Sequence, residues 1–146
     1  MQTFIDTECF DGTYTFKLSM DGIMAIEQKC GAGIGEVYAR TLAGRYSDGE
    51  TSFVNPMEQK FRASELLEVV RQGLIGGGKG YSDGRAVKVD SLVANHLIKT
   101  YISADRDNPL NRAWELAAAI LHRTLYGYEP AIEDAQKKSV TETAPN

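Results

Sequence analysis

Phe16-Lys17-Leu18-Ser19-Met20-Asp21-Gly22-Ile23-Met24-Ala25-Ile26-Glu27-Gln28-Lys29-Cys30-Gly31-Ala32-Gly33-Ile34-Gly35-Glu36-Val37-Tyr38-Ala39-Arg40-Thr41-Leu42-Ala43-Gly44 is the stretch on which the fold turns. Its apolar period changes partway along. Up to Leu18 the apolar residues alternate, so Tyr14, Phe16 and Leu18 mark one face of a strand, and Phe4 is placed to join that face from a preceding strand. From Met20 the spacing becomes helical: Met20, Ile23, Met24 and Glu27 recur, with Cys30 on the next turn. Asp21 falls in the first turn, where negative charge suits the helix dipole. Gly31-Ala32-Gly33 then breaks the helix, because glycine accepts the left-handed conformation in which helices end. A second short helix restarts at Ile34, with Val37, Tyr38 and Leu42 on its apolar side, and Gly44 ends it.

Toward the N-terminus, Thr3 to Phe10 and Thr13 to Ser19 are rich in strand formers. Asp11-Gly12 between them supplies the positive φ angles of a type I′ turn, which predicts a β-hairpin over 3–19. Toward the C-terminus, 45–62 is loop-like, with turn signals at Tyr46-Ser47-Asp48-Gly49 and Asn55-Pro56. Phe53 and Val54 there suit either core packing or a short extended piece. A third helix is predicted over 63–74, with Leu66, Leu67, Val69, Val70 and Leu74 as its apolar face and Glu65, Glu68, Arg71 and Gln72 covering the other side. The run from Gly76 to Gly84 has too many glycines to hold regular structure cheaply and predicts an exposed, mobile loop. A fourth helix over 87–102 carries Val89, Leu92, Val93, His96, Leu97 and Tyr101 on one side. A fifth, over 108–126, opens with Asn108 as N-cap and Pro109 in its first turn. Its stripe is Leu110, Trp114, Ala117, Ala118, Leu121 and Leu125, and Gly127 stops it. From Glu129 the chain is polar, and 129–146 predicts a flexible tail. The expected fold class is α+β and mainly α: an N-terminal β-hairpin packed on a bundle of about five helices, one globular domain over 1–128.

Composition agrees with that frame. A chain of 146 residues, 42% hydrophobic and 25% charged, suits one ordinary globular domain. No apolar run reaches the roughly 18 residues of a membrane span. The start, Met1-Gln2-Thr3-Phe4-Ile5-Asp6, carries neither the basic region nor the apolar stretch of a signal peptide, so a cytoplasmic protein is expected. A formal net charge of −4 gives no support to nucleic-acid binding. It suits a basic or amphipathic protein segment instead.

The candidates for chemistry each have a plainer explanation. Gly73-x4-Gly78-Lys79 is most of a phosphate-binding loop, yet Gly80 replaces the Ser or Thr that would hold magnesium, and the run follows a helix where the motif needs a strand. Metal or triad chemistry would need His96 and His122 beside carboxylates or a nucleophile; His96 lies on the apolar side of its helix, and His122 is near the end of the last one, where a positive charge suits the dipole. Asp105, Asp107 and Asn108 lack the glycine and terminal glutamate of a calcium loop and fit a helix start better. Cys9 and Cys30 fit small, reduced, partly buried thiols. Trp114 is either a core anchor or part of a partner groove. No cofactor, metal or catalytic set is expected.

The stretch from Phe16 to Arg40 resembles the opening of the gene-transfer-agent family of small tail proteins, grouped with phage tail assembly chaperones and in some descriptions labelled tail tube protein. In that family a short strand pair leads to a helix with a central glutamate, then a glycine-containing break and a second short helix. Here the glutamate is Glu27 and the break is Gly31 to Gly35. Phe61 to Gly78, above all Ala63-Ser64-Glu65-Leu66 and Val70-Arg71-Gln72-Gly73-Leu74, resembles the next helix, while the half after Tyr81 matches only as helical pattern. The resemblance implies a non-enzymatic chaperone in the bacterial host cytoplasm. It would bind the tape-measure protein until the tail tube polymerises around it, with the tail tube protein as a further partner. The alternative is a structural virion component such as a tail terminator, connector or tube-associated subunit. Glu27, Gly31, Gly33, Ile34, Val37, Tyr38 and Trp114 are the expected protein-binding residues. Exposed apolar surface would also favour a homo-oligomer.

Overall fold

The computed structural model describes residues 1–47 and 49–129. The tail expected over 129–146 therefore lies, apart from Glu129, outside the described residues, as does Asp48. The elements run β1 (Phe4–Cys9), β2 (Gly12–Lys17), α1 (Met20–Cys30), α2 (Ile34–Leu42), β3 (Arg45–Ser47), β4 (Ser52–Val54), α3 (Ala63–Gly77), β5 (Lys79–Ser82), β6 (Arg85–Lys88), α4 (Ser91–Tyr101) and α5 (Leu110–Tyr126). The α+β class holds, with five α-helices among the described residues. The hairpin, however, is half of a four-stranded antiparallel sheet ordered β1-β2-β5-β6, and β3-β4 form a separate ribbon.

The helix α3 lies along β2, and the core gathers around that seam: Tyr14, Phe16 and Leu18 from the strand side, Leu66, Val69, Val70 and Leu74 from α3, and Trp114, Ala117, Ile120 and Leu121 from α5. The predicted alternation of Tyr14 and Phe16 is what buries that face of β2. Register corrects one partner: Phe16 lies opposite Ile5, while Phe4 lies opposite Lys17 on the outer face. The turn also shifts. Cys9 pairs with Gly12, so Phe10 and Asp11 make the turn, and it is Phe10 that holds a positive φ of 59°. Gly12 is needed for another reason: a Cβ there would sit 2.1 Å from the Tyr81 carbonyl oxygen across the β2–β5 pair.

The largest correction is the glycine run. It is not a loop. The helix α3 continues to Gly77, Gly78 ends it at φ 69°, and β5-β6 form a hairpin across Asp83-Gly84. Both turn residues have positive φ, 51° and 73°, the type I′ requirement. Glycines persist in the helix because it presses on strand backbone. A Cβ on Gly76 would lie 2.0 Å from the Lys17 carbonyl oxygen, and one on Gly77 1.9 Å from that of Thr15. Entropy argued for a loop, and close packing overrides it.

Other boundaries move for local reasons. Residues 87 and 88 belong to β6, so α4 starts only at Ser91, capped by Asp90 through Val93 N–H. Asn108 does not cap α5. Its amide donates to the carbonyls of Thr100 and Ser103, holding the end of α4, and Pro109 takes the cap position of a helix that begins at Leu110. Leu92, Leu110 and Leu125, expected inside, are exposed, as are Met20 and Met24. The buried positions are Ile26 in α1, Ala94 in α4, and Ala113 and Ile120 in α5. His96, expected on the apolar side of its helix, is exposed. Glu65 and Glu68, expected in solvent, are 1% and 4% exposed.

Candidate functional site

Those buried carboxylates organise the α1–α2 corner. Glu65 is held bidentately by Arg40 of α2, its Oε1 accepting from Nε at 3.1 Å and its Oε2 from Nη2, with Arg62 4.0 Å away. Glu68 accepts from Lys29 of α1 at 3.0 Å and from Gln72 at 2.9 Å, with Arg71 3.4 Å away. Each helix of the corner is thus tied to α3 by one charge pair. A buried charge must be matched in this way or its desolvation cost goes unanswered. The clasp raises the Arg40 guanidinium further, chiefly through its hydrogen bond to Glu65. Cys30, between the two pairs, has its thiol pushed up by burial and then by Glu65 and Glu68. Cys9 is pushed up to about 12 by burial and then by Asp11. Both stay protonated at neutral pH and are weak nucleophiles.

Four of the expected binding residues sit at that corner. Glu27 reaches across the break, and its Oε2 accepts from Ile34 N–H at 2.8 Å. The central glutamate is therefore the side-chain cap of α2, whose own N-cap, Gly33, has no side chain to offer. Gly31 holds the left-handed C-cap of α1 at φ 64°. Ile34 is half-buried, and Val37 is wholly buried. Trp114 is 2% exposed; its Nε1–H donates to the Thr41 carbonyl at the end of α2. Val37 and Trp114 therefore present no surface themselves.

Tyr38 lies elsewhere, on an aromatic groove. Its hydroxyl is 3.2 Å from His122 Nδ1, and the two rings stack with centroids 6.4 Å apart. Tyr126 packs against both. Across from this cluster is the β3-β4 ribbon. Tyr46 and Phe53 face each other across it and stack at 5.1 Å and 14°. The space between, about 520 Å³, is lined by Tyr38, Leu42, Phe53, Val54, His122 and the Arg45–Glu115 pair. Trp114 backs it: the Arg45 guanidinium lies 4.5 Å from the Trp114 ring centre. Phe53 is 61% exposed, and Met57, just past the ribbon, is 91% exposed. Such a ribbon has little stability of its own in water, so its open aromatic surface needs an explanation.

The groove presents two phenols. Burial and then Tyr126 raise the Tyr38 phenol, and the hydrogen bond to Glu58 raises that of Tyr46. Both hydroxyls therefore stay neutral, Tyr46 donating to Glu58 and Tyr38 held beside His122, which leaves the flat apolar rings as the open surface. Sequence reading found Tyr38 but missed Tyr46, Phe53, Met57 and His122. The alternation of Tyr46 and, after the turn, Phe53 was the available sign. Among the described residues no group of His, Cys, Asp and Glu is arranged to hold a metal, and no helix is long and apolar enough to cross a membrane. Of the phosphate-loop glycines, Gly73 faces the Ile120 and Phe16 side chains and Gly78 caps α3, while Gly76 and Gly77 between them press on strand carbonyls.

A model of the family described as phage tail tube protein, GTA-gp10, matches residues 5–127. That span runs from β1 to the cap of α5, and so includes both the corner and the groove. No curated protein and no solved structure matches the chain.

Proposed function

We propose a function from one premise: the chain belongs to the phage tail tube protein, GTA-gp10, family. It acts as a tail assembly chaperone. The groove between β3-β4 and the Tyr38–His122–Tyr126 cluster holds an amphipathic helical segment of the tape-measure protein until the tube polymerises around that protein. The observation that carries this reading is the aromatic ribbon beside the groove, where Tyr46 stacks on an exposed Phe53 and Met57 stands open next to them. Apolar anchors of the partner would lie between Phe53 and Tyr38, and its cations would meet Glu58 and Glu115 at the rim. The α1–α2 corner, with Glu27, Gly31, Gly33 and Ile34, holds α2 and hence Tyr38 at the angle the groove needs. A holdase of this kind binds modestly, since the tube must displace it.

The second reading is a structural tail component, and the family's own description as a tail tube protein favours it. Quantitative mass spectrometry of purified particles separates the two. The chaperone reading requires the chain to be absent or far below the stoichiometry of the tail proteins. Presence in fixed proportion to them would overturn it in favour of the structural reading.

A further inference from the structure

The four-stranded sheet ends in two unlike edges. At β1, the hairpin register makes Cys9–Gly12, Thr7–Tyr14 and Ile5–Phe16 the hydrogen-bonded pairs. The main-chain groups of the alternate residues therefore point away from β2. The first of these are already used: Gln2 exchanges both hydrogen bonds with Tyr128, and the Phe4 carbonyl accepts from Arg123 at 2.9 Å. Among the described residues nothing uses those of Asp6 and Glu8, both exposed. At β6 the same logic applies. Ser82–Arg85 and Gly80–Val87 are the bonded pairs, which leaves the main-chain groups of Ala86 and Lys88 pointing outward, again on exposed residues. The open length is the same at both edges.

Their charges are opposite. The strand β1 carries Asp6 and Glu8 and no cation, whereas β6 carries Arg85 and Lys88 and no acid. Register puts Asp6, Glu8, Tyr81, Lys79 and Lys88 on one outer face of the sheet. That face runs from acidic at β1 to basic at β6. Lys79 and Lys88 lie directly opposite each other, an unfavourable like-charge pair. A carboxylate beside Lys88 would relieve it, and within one chain Asp6 and Glu8 are on the far side of the sheet.

We propose that copies of this chain associate head to tail, β6 of one pairing antiparallel with β1 of the next. The sheet alternates direction across its four strands, so a copy continued in the same orientation presents β1 antiparallel to β6. Asp6 then pairs with Lys88 and Glu8 with Ala86. Each residue exchanges its N–H and C=O with its partner, and the two carboxylates flank Lys88 on the outer face. The interface joins two different surfaces, so it repeats, and it closes into a ring or extends as a filament according to its rotation. It is short and charged, so it weakens as salt screens it. It is independent of what the groove binds, because the groove lies on other elements.

The test is sedimentation of the full chain over a range of concentration and salt. The wild type is expected to show reversible association that weakens with salt. Lys88→Glu should weaken it at least about tenfold, a loss near 1.4 kcal/mol, and adding Asp6→Lys, at the position directly opposite, to that variant should restore it. Ala86→Pro removes an outward donor and no bond within the chain, so it should abolish association while leaving the unfolding transition in place. A wild type that stays monomeric at high concentration and low salt overturns the proposal. So does association that survives Lys88→Glu, or a charge effect that Asp6→Lys fails to reverse. If Ala86→Pro disturbs folding, the charge exchange alone decides.

Discussion

The seam between α3 and β2 and the ribbon of β3 and β4 are built from residues that suggest the reverse of what they do. The seam is rich in glycine, the most mobile of residues, and is among the tightest places in the molecule: Gly73, Gly76 and Gly77 let a helix touch Phe16, Lys17 and Thr15. The ribbon carries Tyr46, Phe53 and Val54, residues that normally fill cores, and leaves them in water. Residue type sets what a position can tolerate. Its neighbours decide whether that tolerance is used for packing or left open for a partner.

The comparison breaks first at the seam. Gly77→Ala drives a Cβ to within 1.9 Å of the Thr15 carbonyl oxygen, and backbone cannot step aside as a side chain can. A loss of roughly 3 kcal/mol is expected, read from urea unfolding. The same change at Gly35, where an added Cβ meets nothing within 4 Å, should instead stabilise by up to about 1 kcal/mol. If both lose stability alike, the seam is not what holds those glycines. Next comes the clasp. Glu65→Gln keeps the shape but removes the charge facing Arg40, and should lower the unfolding midpoint well beyond Glu36→Gln, whose carboxylate is 62% exposed in its own pair with Arg40. Equal effects would mean that the buried pair does not tie α2 to α3. Glu27→Ala removes the bond to Ile34 N–H and should cost about 1 kcal/mol; no change would make Glu27 merely a solvated helix residue. The smallest effect belongs to the ribbon. Phe53→Ser should move stability by no more than about 0.5 kcal/mol, and a larger loss would place Phe53 in the core after all.

What the sequence made legible follows from interaction range. The helix–break–helix of α1 and α2 was readable because period, caps and glycine act within a few residues. The burial of Tyr14 and Phe16 followed from alternation alone. The pairing of β2 with β5 was not readable, since Gly12 and Tyr81 are far apart in the chain and what joins them is a steric fit rather than a pattern. Glu65 and Glu68 looked solvated because helical spacing puts them opposite Leu66 and Val70, yet α1 and α2 cover that side too and bring Lys29 and Arg40 to meet them. For the groove, Tyr38 was legible as part of the short helix. Phe53 and Met57 were not, because an exposed aromatic and a buried one are written alike, and only the finished surface tells them apart.

The groove is also where the account is most directly tested. The tape-measure protein is co-expressed with the chain and recovered through it, wild type beside Phe53→Ser, with the folded state of each checked by its unfolding transition. The wild type is expected to bring the tape-measure protein with it, and Phe53→Ser, equally stable, to lose at least about tenfold of it, as when an aromatic anchor is removed from a groove. Undiminished recovery by Phe53→Ser, or no recovery by the wild type, would contradict it.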